Sequence, residues 1–418
     1  MLKNIFINII TFVYVININN IIIFSYNNNF NNFNNAVIVA PVVDVSGESL
    51  SDKYDLYSKF EYAPESGKFS CLRLHQLLFN ELIRVIKETD KEVFCEFSSL
   101  FYYDDNDNIR NTFWLPKHHI KYLDNIDKKD LKAIPKPYRL NHGSNQVYNY
   151  NILTLKAPWQ DLITNKVYSA GTRFVRAIKY DKKEYSDFYS VFLLDDNLKK
   201  TVSYVSKKLA VVNYGYDINS SINLFLSVLQ QFIYDNNKSI IPYLWGGCSY
   251  IDRFESNLFY LKKFHYLGYK NKAWTRFGIH PNNYIKTGLE CSSVILRAAQ
   301  IAGLPYFAKN SQAIYNTLEP IKQTEKIENG DILWYPGHVL IVSDVDKNLI
   351  IESVGYPLYY GKLHELKLNQ IFKDINNYAE LLSIYLNKGS IKRLNQFGQV
   401  FKKINNFSIL KFDSILKL

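Results

Sequence analysis

In the first half of the chain, hydrophobic positions come in short runs broken by polar turns; further on they recur at helical spacing. Residues 36–45, 76–88, 92–103 and 111–123 are β-rich or mixed runs, separated by turns such as the acidic DDNDN at 104–108. Short strands with regular turn signals predict a small barrel over 36–131. Residues 132–149 contain Pro135 and Pro137 and show no periodicity, so a linker is expected there. A second β-rich unit over 150–213 follows, with runs at 166–181, 184–196 and 201–212 and Gly171 placed to bend the chain between two strands.

After Tyr214 the period changes. Ile222, Phe225, Leu226, Leu229, Phe232 and Ile233 mark a helix with Asn219 or Ser220 as N-cap, the first of a third domain over 214–385. A second helix starts at Cys291: Val294, Ile295, Ala298, Ala299 and Ala302 share one face, and Gly303 is its natural stop. Further on, Pro336-Gly337 turns the chain and His338 heads the β-run 339–342, which returns through a hairpin as 348–356. Opposing His338 to Glu352 centres that turn at position 345 and puts the two side chains together, unless a bulge shifts the register by one.

The remaining segments carry no core pattern. Residues 1–25 hold Lys3 and a long apolar stretch interrupted by Asn8, Asn17, Asn19 and Asn20, which reads as a signal peptide or weak membrane anchor ahead of an Asn-rich linker at 26–35. Residues 386–418 read as a basic tail. With 418 residues the chain can bury several cores, and 47% hydrophobic with 21% charged residues is a globular balance. The formal charge of +11 is scattered, so it is attributed to solubility; an anionic polymer suits it and a nucleic-acid partner is not expected. Cys71, Cys95, Cys248 and Cys291 are too few and too widely spaced for a disulfide framework or a zinc site. Phosphate-loop patterns are also missing, and no cofactor is expected.

Cys291 at a helix start is either a small core residue or a nucleophile, since unpaired N–H groups there favour a thiolate. Helical phasing leaves both readings open. His338 as a base at a strand head and Glu352 as a polar partner on the next strand supply the rest of what thiol acyl transfer requires.

That constellation resembles the NlpC-type cell-wall cysteine peptidases, papain-like in fold, through PYLWGG (242–247), ECSS (290–293), GDILWYPGHVLIV (330–342) and LIIE (349–352). The two β units resemble bacterial Src-homology-3-type barrels, the second through GTRF (171–174), the first through VVDV (42–45) and a strand QLLFNELIRVI (76–86). The resemblance implies two small all-β barrels followed by an α+β papain-like domain, a layout like that of γ-D-glutamyl-L-diamino-acid endopeptidases acting on peptidoglycan peptides with a free N-terminal L-Ala. It implies Cys291 as nucleophile, His338 as base and Glu352 as orienting residue. Tyr243 would line the site, Glu290 and Ser292 would hold the substrate amine, and the first barrel would wall the pocket, with Tyr102 or Tyr103 as candidates. An exported monomer of the periplasm or cell envelope is expected, with membrane attachment only through its N-terminal segment. Four departures stand out: Glu290 where the family has Asp, Glu352 where it usually has His, Leu340 where it has Gly, and an aromatic-rich insertion at 248–289. A catalytically inactive wall-binding module, or an acyltransferase or amidase with the same Cys-His core, is the alternative.

Overall fold

The computed structural model describes residues 34–50, 60–63, 68–137, 151–181, 186–212, 218–234, 239–251, 254–255, 287–304, 306–355 and 361–417. The expected leader at 1–25 and nearly all of the 26–35 linker lie outside the described residues, as does most of the 248–289 insertion.

Seven antiparallel strands make the first unit, in the order Ile120–Tyr122, Asn35–Ile38, Leu82–Glu88, Glu92–Glu96, Thr112–Pro116, Val42–Ser46, Arg73–Leu78. The run read as one strand, QLLFNELIRVI, is two: the chain turns at Phe79-Asn80, where Asn80 adopts φ +70. Asparagine tolerates that left-handed conformation better than most residues do. The break frees Phe79 to leave the first sheet and pack in the second unit, 4.9 Å from the Tyr168 ring centroid.

The second unit combines a three-stranded sheet (Arg173–Val175, Ile152–Leu155, Ala210–Val212) with a long hairpin pairing Phe188–Leu194 to Lys200–Ser206. Val37, Phe79 and Ile126 of the first unit share its core with Trp159, Tyr168 and Phe174. The two β units are thus fused through one apolar cluster rather than merely tethered.

In the third region a six-stranded antiparallel sheet runs in the order Glu319–Pro320, Ser408–Lys411, Ile332–Tyr335, His338–Asp344, Leu349–Val354, Lys362–Lys367. Successive side chains on a strand point to opposite faces, and here both faces are buried. Trp334, Val339, Ile341 and Ile351 face a core shared with the helices and the first sheet. Leu333, Leu340, Val342 and Ile350 face a second core that includes Phe372, Leu381, Ile391 and Ile404.

That second face corrects the expected basic tail at 386–418. Ile391–Leu394 and Val400–Ile404 form a small sheet with Phe372–Lys373, and Ser408–Lys411 enters the middle of the large sheet, beside Ile332–Tyr335. The basic residues were misleading because they alternate with buried ones: Ile391 and Arg393 point inward while Lys392 is exposed. Lys411 is itself buried and tied to Asp331 at 3.0 Å.

Two helices pack together beside this sheet, Ile218–Tyr234 and Cys291–Ala302. The first begins at Ile218, ahead of the expected cap. The second ends as its pattern predicts, with Gly303 at φ +78. It is buried all round rather than on one face, because the β units cover the side that the periodicity left polar: Arg297 donates to the Cys248 carbonyl at 3.0 Å and lies 3.6 Å from Glu81. Gly171, at φ +90, leaves room for that arginine, since a Cβ there would lie 2.2 Å from Arg297 Cδ.

Candidate functional site

The strand headed by His338 packs against the helix opened by Cys291, which places the imidazole within electrostatic reach of the sulfur. Cys291 is the first residue of its helix, with Glu290 in extended conformation (ψ 170) as N-cap. The sulfur is half-buried, whereas Cys95 and Cys248 are fully buried. Burial pushes the Cys95 thiol well up, which keeps it inert. Cys71 side-chain placement lies outside the described residues.

His338 is 8% exposed and its Nε2 lies 3.2 Å from Glu352 Oε2. Burial opposes its charge, but the neighbouring Cys291 sulfur and the Glu352 carboxylate outweigh it and hold the imidazole pKa at about 9. With Nε2 engaged by Glu352, Nδ1 is the nitrogen left for sulfur. The imidazole is therefore a charged hydrogen-bond donor at neutral pH, next to the group it would have to protonate or deprotonate.

The hairpin register differs from the expected one. Ile341 pairs with Ile351 and Val342 with Ile350, which centres the turn at 346, and a bulge follows before Asp344. Continued, that register sets Leu340 across from Glu352, with His338 two residues along. A shift of two keeps both side chains on the same face of the sheet, where a shift of one would have separated them.

Glu352 is fully buried, and three cations or potential cations surround it. Arg393 Nη2 donates to both carboxylate oxygens at 2.7 Å, and His364 Nε2 lies 3.1 Å from Oε1. Burial penalises the carboxylate, yet Arg393 and the two imidazoles hold its pKa well below the usual range. Neither Arg393 nor His364 was singled out from the sequence. His364 becomes a neighbour only because Lys362–Lys367 pairs with Leu349–Val354, and Arg393 only because the C-terminal segment folds back. A lone arginine in the otherwise alternating IKRL (391–394) was the available signal.

The segment before the helix is equally constrained. Leu289 N–H donates to Pro242 O at 3.1 Å and Glu290 N–H to Gly247 O at 3.1 Å, so 242–247 lies alongside 288–290. Tyr243, 8% exposed, sits in that turn, its N–H bonded to Gly361 O. Gly246, at φ +66, presses against the first unit: a Cβ there would stand 2.3 Å from the Arg73 carbonyl. Arg73 in turn donates to Trp245 O at 3.1 Å.

Glu290 and Ser292, expected to hold a substrate amine, lie together, and Glu290 is engaged from within the protein. Lys309 Nζ already sits on Glu290 Oε1, Ser292 Oγ donates to the same oxygen at 3.0 Å, and Gly246 N–H donates to Oε2 at 2.7 Å. Lys309, buried in the run YFAKN (306–310), also went unread in the sequence. Beside this cluster opens a cavity of about 610 Å³ between the first β unit and the third region. Tyr102 and Tyr103 both line it. Phe101 bridges to Ala308 and Asn310 Nδ2 donates to Tyr103 O at 2.7 Å, which fixes this wall to the residues that carry Lys309.

No family model and no curated protein matches the sequence. Among solved structures the chain is similar to an NlpC/P60 family protein from Bacillus cereus ATCC 10987, at 13% identity over 80% of this chain and 94% of that one, with a TM-score of 0.46. It is also similar to an NlpC/P60 endopeptidase from Photobacterium damselae subsp. piscicida, at 11% identity over 91% of this chain and 73% of that one, with a TM-score of 0.42. NlpC2 from Trichomonas vaginalis matches at 9% identity over 80% of this chain and 94% of that one, with a TM-score of 0.28.

Proposed function

We propose that the protein is a cysteine peptidase of the cell envelope that hydrolyses the γ-D-glutamyl–diamino acid bond of peptidoglycan-derived peptides, with two Src-homology-3-type barrels ahead of a papain-like domain. The observation that carries the chemistry is a buried imidazole, 3.2 Å from an ionised Glu352 and close enough to the Cys291 sulfur for the two to interact.

In the reaction, the thiol proton already rests on His338, and Cys291 sulfur attacks the γ-glutamyl carbonyl carbon, moving its π electrons to oxygen. The Cys291 backbone N–H at the helix start is one donor for that oxyanion. Collapse expels the diamino acid amine, protonated by His338, and leaves a thioester. Water, deprotonated by the same imidazole, releases the glutamyl acid and restores the free sulfur with its proton on His338. Glu352 keeps the ring oriented and stabilises its charge throughout.

The test is incubation of the full chain with L-Ala-γ-D-Glu-diaminopimelate peptides, with products read by mass spectrometry. Release of the diamino acid, abolished by Cys291→Ala, is expected. Cleavage that survives Cys291→Ala, or no cleavage of any such peptide, rejects the reading. Transfer of the acyl group to an added amine in preference to water would favour the acyltransferase alternative.

A further inference from the structure

The carboxylate just before Cys291 is engaged from within the protein, with three donors on Oε1 and one on Oε2. An ionised carboxylate offers about four lone-pair sites. Glu290 receives Lys309 Nζ, Ser292 Oγ at 3.0 Å and Ser293 Oγ at 3.4 Å on Oε1, and Gly246 N–H at 2.7 Å on Oε2. Lys309 is 2% exposed, so its ammonium would be buried without a counter-charge if a substrate amine displaced it.

Other ions on the adjoining cavity are paired as well: Arg73 with Asp44 at 2.8 Å and Arg110 with Asp104 at 2.9 Å. Asp105, on the exposed turn after Asp104, is the remaining acid of the lining. The cavity itself, about 610 Å³, falls within the range of about 300–1,000 Å³ that houses drug-sized ligands and far exceeds the needs of one alanine. Its lining is mixed, with aromatic rings among the polar groups: Phe94 and Trp114 pack at 5.2 Å between centroids, and Tyr102, Tyr103 and the 44%-exposed Trp245 line it too. Flat apolar rings with a polar edge suit the C–H faces of a sugar.

Resting on the peptidase reading above, we propose that the substrate is a stem peptide whose N-terminal amine is acylated by a sugar acid, as in glycan-attached peptides, and that the cavity receives the sugar. Lys309 is then a specificity-determining residue: by occupying Glu290 it removes the grip on a free amine. The neutral amide N–H of an acylated terminus has no ammonium to place there, and the bulk of the acyl group enters the cavity.

Three peptides test this with the full chain: free L-Ala-γ-D-Glu-diaminopimelate, its N-acetyl form and its N-muramoyl form. The expected kcat/KM for the muramoyl peptide is at least tenfold above that for the free peptide, with the acetyl form between them. A free peptide cleaved tenfold faster than both acylated ones overturns the proposal while leaving the peptidase reading intact; failure on all three rejects both. Trp114→Ala should lower the muramoyl rate at least fivefold more than the acetyl rate, and equal losses on both contradict the sugar assignment. Lys309→Met, checked for folding by circular dichroism, should shift the ratio at least tenfold towards the free amine. An unchanged ratio removes Lys309 from the specificity argument, and loss of free-peptide cleavage in Asp105→Asn would place the amine at Asp105 and overturn the proposal.

Discussion

Arg393→Met isolates what the C-terminal segment contributes to the site. Arginine and glutamate are buried together, and Arg393 Nη2 donates to both Glu352 oxygens at 2.7 Å. Removing one member of a buried pair costs about 3–5 kcal/mol, because the other charge stays behind without compensation. Glu352 keeps His338 and His364, and methionine fills most of the arginine stem, so the lower end applies, about 3 kcal/mol. At roughly 2–4 °C per kcal/mol for a folded unit of 150–250 residues, the melting temperature should fall by about 6–12 °C at pH 7.

The pH dependence separates this electrostatic loss from simple mispacking. Glu352 has a folded pKa well below its ordinary 4.5, so its pairing stabilises the fold fully above that value and ceases to do so as pH falls through the depressed folded value. The gap between wild type and Arg393→Met should thus be constant from pH 8 to pH 5 and narrow below 4.5. Thermal melts by circular dichroism across that range measure it, and a double-mutant cycle with Glu352→Gln isolates the coupling. A melting temperature within 2 °C of wild type, or a gap that does not close in acid, would falsify the assignment of Arg393 as the partner that keeps Glu352 ionised.

Three further outcomes follow from the same structure. His338 has a folded pKa raised from 6.5 to about 9, so its contacts stabilise fully below 6.5 and are lost as pH rises through 9; peptide cleavage should show an alkaline limb near 9, and in Cys291→Ala the His338 ring, followed by NMR, should titrate lower. Gly171→Ala drives a Cβ to within 2.2 Å of the buried Arg297 Cδ at a left-handed backbone position, and should cost about 2–4 kcal/mol by denaturant titration; a loss under 1 kcal/mol would mean that the arginine moves freely. Truncation after Leu386 removes Arg393 and a strand from the middle of the large sheet, and should leave the protein insoluble or uncooperative on melting, an outcome a dispensable tail would not give.

Elements set by local pattern were legible in the sequence, and contacts set by long-range return of the chain were not. Cys291 opens a helix and His338 heads a strand because capping, periodicity and the Pro336-Gly337 turn act within a few residues of them. Glu352 was reachable because a hairpin is a local structure, although the turn centre was off by one and the partner by two. Arg393 lies 41 residues from Glu352, and Lys309 lies 19 from Glu290. No periodicity reports such pairs. The break at Asn80 was missed because an unbroken apolar run reads the same whether one strand continues or two meet at a left-handed residue.

These missed contacts also change what counts as one folded unit. The turn 242–247 that borders the Cys291 segment rests on the first β unit: Arg73 O sits where a side chain on Gly246 would go, and Gln76 Oε1 accepts from Cys248 N–H at 3.1 Å and Ser249 Oγ at 2.7 Å. The second unit contributes Ser169 Oγ to Tyr250 N–H at 3.0 Å and the space at Gly171 that admits Arg297 of the Cys291 helix. One apolar cluster runs from Val45 and Phe113 through Val294 and Ile295 to Ile351. Separating 214–418 from the β units would therefore expose half of a core and leave polar groups of the 242–250 segment without their partners, at about 1–3 kcal/mol for each one left buried. The β units are thus part of the fold that aims the sulfur, whatever they bind, and a variant in their interface with the helix should lower activity through the position of Cys291 before it lowers affinity for any wall component.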